Sequence, residues 1–204
     1  MGNGMNKIIP NLYIGNFRDA KDVVKLTENN VDHIVAIYDN PTHVLKEFKY
    51  KCIDASDSVS QDLSKYFYDC IKFIHKARSD GNGVLVHCIA GVSRSTTITA
   101  AYLIVVSKCG WREAIEAIRV CRSIANPNYA FQRQLEEFEL KKAEEVRRKL
   151  LKKYKIDPAD QLCVQELLQA KGKPEPPIEA RLNSETFKHY EKQRQGAKTN
   201  EITN

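Results

Sequence analysis

Val84-Leu85-Val86-His87-Cys88-Ile89-Ala90-Gly91-Val92-Ser93-Arg94-Ser95 contains an apolar run, a cysteine, a short loop and an arginine that opens a second apolar stretch. Val84 to Val86 has the composition of a buried central strand, and the turn Gly81-Asn82-Gly83 precedes it. From Ser93 to about Lys108 the residues are apolar on most sides, which predicts a core helix whose start is capped by hydroxyl side chains. Five residues separate Cys88 from Arg94. A loop of that length between a strand and a helix start can curl around one tetrahedral anion, with the backbone N–H groups of residues 89 to 94 (Ile89, Ala90, Gly91, Val92, Ser93, Arg94) pointing inward. The helix N-terminus adds positive potential, and the Arg94 guanidinium can grip two phosphate oxygens at once. The same field favours a thiolate at Cys88, a nucleophile at neutral pH. Gly91 gives the loop backbone freedom, and Ser95 can place a hydroxyl beside the sulfur to assist its departure in a second step. His87 precedes the nucleophile on a strand and should point away from it, so it reads as a loop organiser rather than a base.

Outward from this segment, strands and helices alternate. Ile8-Ile9 and Leu12 to Ile14 read as short strands around the Pro10-Asn11 turn, followed by a polar helix from about Asp19 to Glu28. Val31 to Tyr38 and Tyr50 to Ile53 read as strands, and Asp54 to Gln61 as a loop rich in Asp and Ser. Asp62 to Arg78 repeats apolar residues at helical spacing, and Trp111 to Arg122 makes another helix after Gly110. Asn126-Pro127-Asn128 breaks the chain before a helix from about Ala130 to Tyr154, and a short helix follows at Asp160 to Ala170. This order predicts an α/β fold, a central and mostly parallel twisted sheet flanked by helices. Residues 1–145 are expected to form the catalytic domain, and 146–204 a charged extension, partly helical and then disordered.

The chain has 204 residues and a formal charge of +6, which by itself suggests anionic partners. Residues 1–140 hold 17 basic and 16 acidic side chains, against 15 and 10 in residues 141–204, so the excess lies in the extension. No window approaches the ~18–20 apolar residues of a membrane-spanning helix, and no secretory signal is readable at the start, which implies a reducing cellular compartment. The six cysteines lack both metal-site spacing and disulfide-scaffold density.

His87 to Ser95 resembles the signature loop of the cysteine-dependent dual-specificity protein phosphatases. The similarity extends through Ala101-Tyr102-Leu103-Ile104, Asn126-Pro127-Asn128 and Phe131-Gln132-Arg133-Gln134-Leu135, and Leu12-Tyr13-Ile14-Gly15-Asn16 resembles the family's first-strand motif. It spans roughly residues 5–140 and is greatest to the small atypical members, especially the N-myristoylated type of the JNK pathway. Ala130 stands where the family usually has Gly.

The resemblance implies the dual-specificity phosphatase fold. It also implies hydrolysis of phosphotyrosine and of phosphoserine or phosphothreonine in proteins through a cysteinyl-phosphate intermediate, with no metal or cofactor required. The family draws its general acid from an Asp about 30 residues upstream of the nucleophile, which matches Asp57, 31 positions before Cys88. Asp54 and Asp62 are its rivals. Asn126 has two readings of equal weight, support of the phosphate loop through its side-chain amide and a simple helix-breaking turn. Phosphoproteins, MAP kinase pathway components among them, are the implied partners, and nucleic acid is not. Phosphoinositide phosphatases tend to carry Lys inside the loop, whereas the variable positions here are Ile89, Ala90, Val92 and Ser93. Gly2 meets the first requirement for N-myristoylation, but Asn6 stands where Ser or Thr is usual. One acyl chain holds a protein to membrane only marginally. Lys141-Lys142, Arg147 to Lys149 and Lys152-Lys153 could add a second contact, or could be a solvated helix face. A cytoplasmic location, with membrane or nuclear fractions open, follows from these readings.

Overall fold

The computed structural model describes residues 4–171. The strands are β1 (Asn6–Ile9), β2 (Leu12–Gly15), β3 (Val31–Tyr38), β4 (Lys49–Asp54) and β5 (Gly83–His87). The helices are α1 (Val23–Glu28), α2 (Ser64–Ser79), α3 (Arg94–Ser107), α4 (Trp111–Cys121), α5 (Tyr129–Lys141), α6 (Ala143–Leu151) and α7 (Pro158–Gln169). They build one five-stranded sheet in the order β1-β2-β5-β3-β4, with β1 antiparallel to β2 and every other pairing parallel. The expected α/β architecture is the observed one.

The alternation of side chains along each strand explains the two faces. Leu12, Ile14, Val35, Ile37, Val84 and Val86 face the larger core, whereas Tyr13, Ile34 and Leu85 face a smaller one with Ala20, Leu26 and Val31. In the larger core α3 lies against the sheet, and all of its residues from Arg94 to Ser107 are buried. Three of its hydroxyls are satisfied locally: those of Thr96, Thr97 and Ser107 donate to the carbonyls of Val92, Ser93 and Leu103. The placement of β5 between β2 and β3 puts its C-terminal end, where the loop begins, at the middle of the sheet's carboxyl edge, a general location for ligand sites in parallel sheets.

Three boundaries differ from the sequence reading. The helix expected from Asp19 to Glu28 divides into a 3-10 turn, Asp19–Lys21, and α1, because the Asp22 side chain accepts from the Lys25 N–H and starts the helix anew. The long helix expected from Ala130 to Tyr154 breaks at Lys142, whose φ of −131° is not helical, giving α5 and α6. The third concerns the domain boundary at 145, which falls inside α6. Ala143, Val146 and Leu150 of α6 and Cys163, Val164 and Leu167 of α7 are buried in the larger core. Asp160 of α7 meets Arg78 of α2 in a two-pronged ion pair at 2.7 and 2.8 Å, both side chains almost wholly buried. The larger core therefore takes in residues as far as α7, which ends at Gln169. The expectation of disorder for the tail beyond 171 and the lipidation reading at Gly2 lie outside the described residues.

Candidate active site

The loop from Cys88 to Ser93 links β5 to α3 with its carbonyls turned outward. The Cys88 carbonyl lies 3.3 Å from His87 Nδ1, and the Ile89 carbonyl accepts from the Phe17 N–H. The Ala90 and Gly91 carbonyls accept from the Arg122 guanidinium at 3.3 and 2.7 Å. The Val92 carbonyl accepts from the Asn126 N–H and the Thr96 hydroxyl, and the Ser93 carbonyl from the Thr97 N–H and hydroxyl. Successive peptide units with their oxygens held outside leave their N–H groups to face the concave side. There the Gly91 N–H donates to Cys88 Sγ at 3.2 Å, and the sulfur lies 3.3 Å from the Ser95 hydroxyl. Among the described residues no protein acceptor meets the N–H groups of Ile89, Ala90, Val92, Ser93 and Arg94. Gly91 has φ +67°, and a Cβ there would lie 2.5 Å from the Gly15 carbonyl oxygen, so both the turn and the close approach require glycine.

Arg94 opens α3 at the end of this loop. Its Nη1 donates to the Ala55 carbonyl at 3.0 Å and to Asp39 Oδ2 at 3.2 Å, while its buried Nε donates to nothing. An unused guanidinium donor beside five unused amides fits the oxygens of a tetrahedral anion. Asp57 stands opposite, with Oδ2 3.7 Å from Arg94 Nε and Oδ1 accepting from the Ser93 hydroxyl at 2.8 Å and from Asn128 Nδ2 at 2.9 Å. Its loop is fastened to α5 by Gln134, which accepts from the Leu63 N–H and donates to the Gln61 carbonyl. The rivals are engaged elsewhere: Asp54 accepts from the Asn40 N–H, and Asp62 accepts from the N–H and hydroxyl of Ser64 at the start of α2.

His87 is buried against Phe17 and Tyr38, and burial pulls its pKa from 6.5 down to about 4. A neutral ring there organises the strand end and carries no charge at physiological pH. Burial pushes Cys70 and Cys163 up to about 12 and Cys109 up to about 11, which leaves them protonated at neutral pH.

Asn126 needs correction. Its side chain accepts from Arg119, away from the concavity, and it supports the loop only through its backbone N–H. Asn128, two residues on, has the reach expected of Asn126: Oδ1 caps α5 at the Phe131 N–H, Nδ2 holds Asp57, and its own N–H donates to the Ser93 hydroxyl. Asp39 and Arg122 were also absent from the sequence reading. The position of Asp39 one residue past β3 is a signal for it, because residues just beyond parallel strands line the carboxyl edge. Nothing local distinguishes Arg122 from the other arginines. A cavity of about 560 Å3 lies elsewhere, lined by residues that include His75, Arg78, Tyr154 and Asp160, where Arg78 is already committed to Asp160.

Comparison with known proteins gives a consistent result. The family model described as the dual specificity phosphatase catalytic domain matches residues 12–141. Dual specificity protein phosphatase 22 of Homo sapiens is 50% identical over 158 residues, covering 78% of this chain and 86% of that protein. Dual specificity protein phosphatase 15 of Mus musculus is 46% identical over 154 residues, covering 76% of this chain and 66% of that protein. The crystal structure of DUSP15 aligns with a TM-score of 0.74 at 44% identity, covering 76% of this chain and all of that one (100%).

Proposed function

Because this chain belongs to the dual-specificity protein phosphatases and hydrolyses phosphate monoesters on protein side chains, we propose that Cys88, Arg94 and Asp57 carry the reaction. The Cys88 thiolate attacks phosphorus in line with the leaving oxygen. As the S–P bond forms and the P–O bond breaks, the Asp57 carboxyl gives its proton to the leaving alkoxide or phenoxide. Arg94 and the inward amides of residues 89 to 94 hold the three equatorial oxygens, whose charge grows during transfer. In the second step the Asp57 carboxylate takes a proton from water, which attacks the cysteinyl phosphate. The Ser95 hydroxyl stabilises the departing thiolate, and inorganic phosphate leaves.

The observation that carries this assignment is the unused, buried Arg94 Nε at the end of the Cys88 loop, 3.7 Å from Asp57 Oδ2. It is tested by hydrolysis of para-nitrophenyl phosphate with wild type and Cys88→Ser; retained turnover in the serine variant sinks it. A loop without lysine matches one phosphate group rather than a multiply phosphorylated lipid headgroup, so phosphopeptides should be cleaved in preference to phosphoinositides.

The placement in MAP kinase (JNK) signalling is supported by the resemblance to atypical family members, and a Cys88→Ser or Asp57→Ala trap is its test, phosphorylated kinase being the retained species. Membrane residence is proposed through an acyl chain on Gly2 and a basic patch. Lys141 and Lys149 pair with Glu137 and Glu145, and Arg147 donates to the carbonyls of Val105 and Val106. Lys142, Arg148, Lys152 and Lys153 are exposed, and each adds about 1 kcal/mol at an anionic surface. Gly2→Ala that keeps its membrane fraction removes the anchor.

A further inference from the structure

We propose that Arg122 is a positioning residue for phosphate binding, and that with Asn6 it makes the N-terminal strand part of the support of the catalytic loop. Arg122 is buried at the end of α4, and its guanidinium divides between two clients. On one side Nε and Nη2 donate to the Gly91 and Ala90 carbonyls at 2.7 and 3.3 Å, the two central peptide units of the loop. On the other side Nη1 donates to Asn6 Oδ1 at 2.7 Å and to the Gly4 carbonyl at 3.3 Å. The remaining loop carbonyls are held by the neighbouring His87, by backbone N–H groups or by hydroxyls of α3, so Arg122 is the long-range side chain in the set.

The consequence follows from peptide geometry. A peptide unit whose oxygen is fixed outward has its N–H fixed on the opposite side. The N–H between Gly91 and Val92 is left for the anion, and that between Ala90 and Gly91 meets the Cys88 sulfur, because Arg122 holds the oxygens of the same units. With Arg122 removed, those units lose charge-assisted bonds, and the Gly91 position, at φ +67°, is permissive enough to let them rotate. Asn6 supplies the far anchor, which keeps the guanidinium plane aligned with the loop. The nearby Asp19 carboxylate and Cys88 sulfur offset part of the burial cost of the cation.

This inference rests on the reading that the loop takes a tetrahedral oxyanion, and the experiment separates the two. Competitive inhibition by orthovanadate and steady-state kinetics on para-nitrophenyl phosphate are measured for wild type, Arg122→Met, Arg122→Lys, Asn6→Ala and the Arg122→Met/Asn6→Ala double variant, with thermal melting alongside. Arg122→Met should weaken vanadate inhibition and lower kcat/KM by about 10- to 100-fold, and Arg122→Lys should recover part of both. Asn6→Ala, an exchange near the surface that leaves the sheet intact, should weaken vanadate inhibition about three- to tenfold. In the Arg122→Met background it should have no further effect, because its action passes through Arg122. Should Arg122→Met fail to fold, Asn6→Ala alone decides. A wild type that vanadate does not inhibit competitively refutes the oxyanion reading. A wild type that is inhibited, with Asn6→Ala unchanged in vanadate affinity or additive to Arg122→Met, refutes the role of Arg122 and Asn6 while leaving the reaction assignment intact.

Discussion

Replacement of Asp57 by asparagine separates proton transfer and charge from the hydrogen bonds that hold that side chain. The amide oxygen of the substituted side chain can still accept from the Ser93 hydroxyl and from Asn128 Nδ2, which now bond Asp57 Oδ1 at 2.8 and 2.9 Å, so the side chain should keep its place. What disappears is the proton and the negative charge. Loss of a positioned general acid costs about 10²- to 10⁴-fold, or about 3–5 kcal/mol of barrier. Loss of the charge acts in the opposite direction on binding, because the carboxylate 3.7 Å from Arg94 Nε competes with the substrate for that guanidinium. The Asp57 side chain is one-third exposed, so the water-screened interaction of about 1 kcal/mol is the appropriate figure, equal to about fivefold in affinity. Asp57→Asn should therefore show kcat down by at least about a hundredfold while KM and the vanadate inhibition constant fall severalfold. The loss in kcat should grow as the leaving group becomes a stronger base, since a poor leaving group depends more on the donated proton. The assay is steady-state hydrolysis of a series of substituted aryl phosphates. A kcat within about threefold of wild type, or a loss that is the same across the series, refutes the role of Asp57 as acid.

Three further outcomes follow from the packing. Arg78→Met strands Asp160 in the core and should cost about 3–5 kcal/mol in urea denaturation, whereas Arg78→Met with Asp160→Leu should recover much of it; an unchanged single variant would mean that α7 is not part of the folded unit. His75 and His87 both have folded pKa values pulled by burial from 6.5 to about 4, so the unfolded chain binds more protons between those limits. Stability should then fall as pH drops from 6.5 towards 4, with His75→Gln flattening that slope; a slope unaltered by the substitution contradicts the burial argument. Gly91→Ala should lower kcat/KM at least about tenfold with an αL cost of about 1–2 kcal/mol in stability, and near-normal activity would show that the approach to Gly15 is not tight.

What the sequence made legible was the chemistry that is contiguous. Strand, cysteine, five-residue loop, arginine and helix are adjacent in the chain, Cys88 meets Ser95 as their spacing requires, and Arg94 keeps an unused Nε at the loop's end. Asp57 became legible through a family spacing, since an aspartate in a polar loop carries no sign of its own. Asn126 and Asn128 flank one proline and differ only in the direction that the chain takes there, which sequence does not express. Asp39 and Arg122 reach the loop because β5 inserts between β2 and β3 and because α4 ends beneath it, relations of topology. The extent of the fold was obscured by charge. In α6, Lys, Arg and Glu surround Ala143, Val146 and Leu150, yet their spacing of three and four is that of a buried stripe and was the available signal.

The Arg78–Asp160 pair joins residues 82 apart in sequence, and this has a consequence for how the chain is made. At about 5–20 residues per second, Arg78 is synthesised roughly 4–16 s before its counter-charge. During that interval the loop residues Cys88 to Arg94 are made, but α2 carries a cation whose counter-charge, on α7, is still to come. A nascent chain halted near residue 145 holds every catalytic side chain and lacks α7, which carries that counter-charge. Its maturation should wait for α7 to emerge, so that hydrolytic competence appears late in translation, after the reaction's own residues have long been in place.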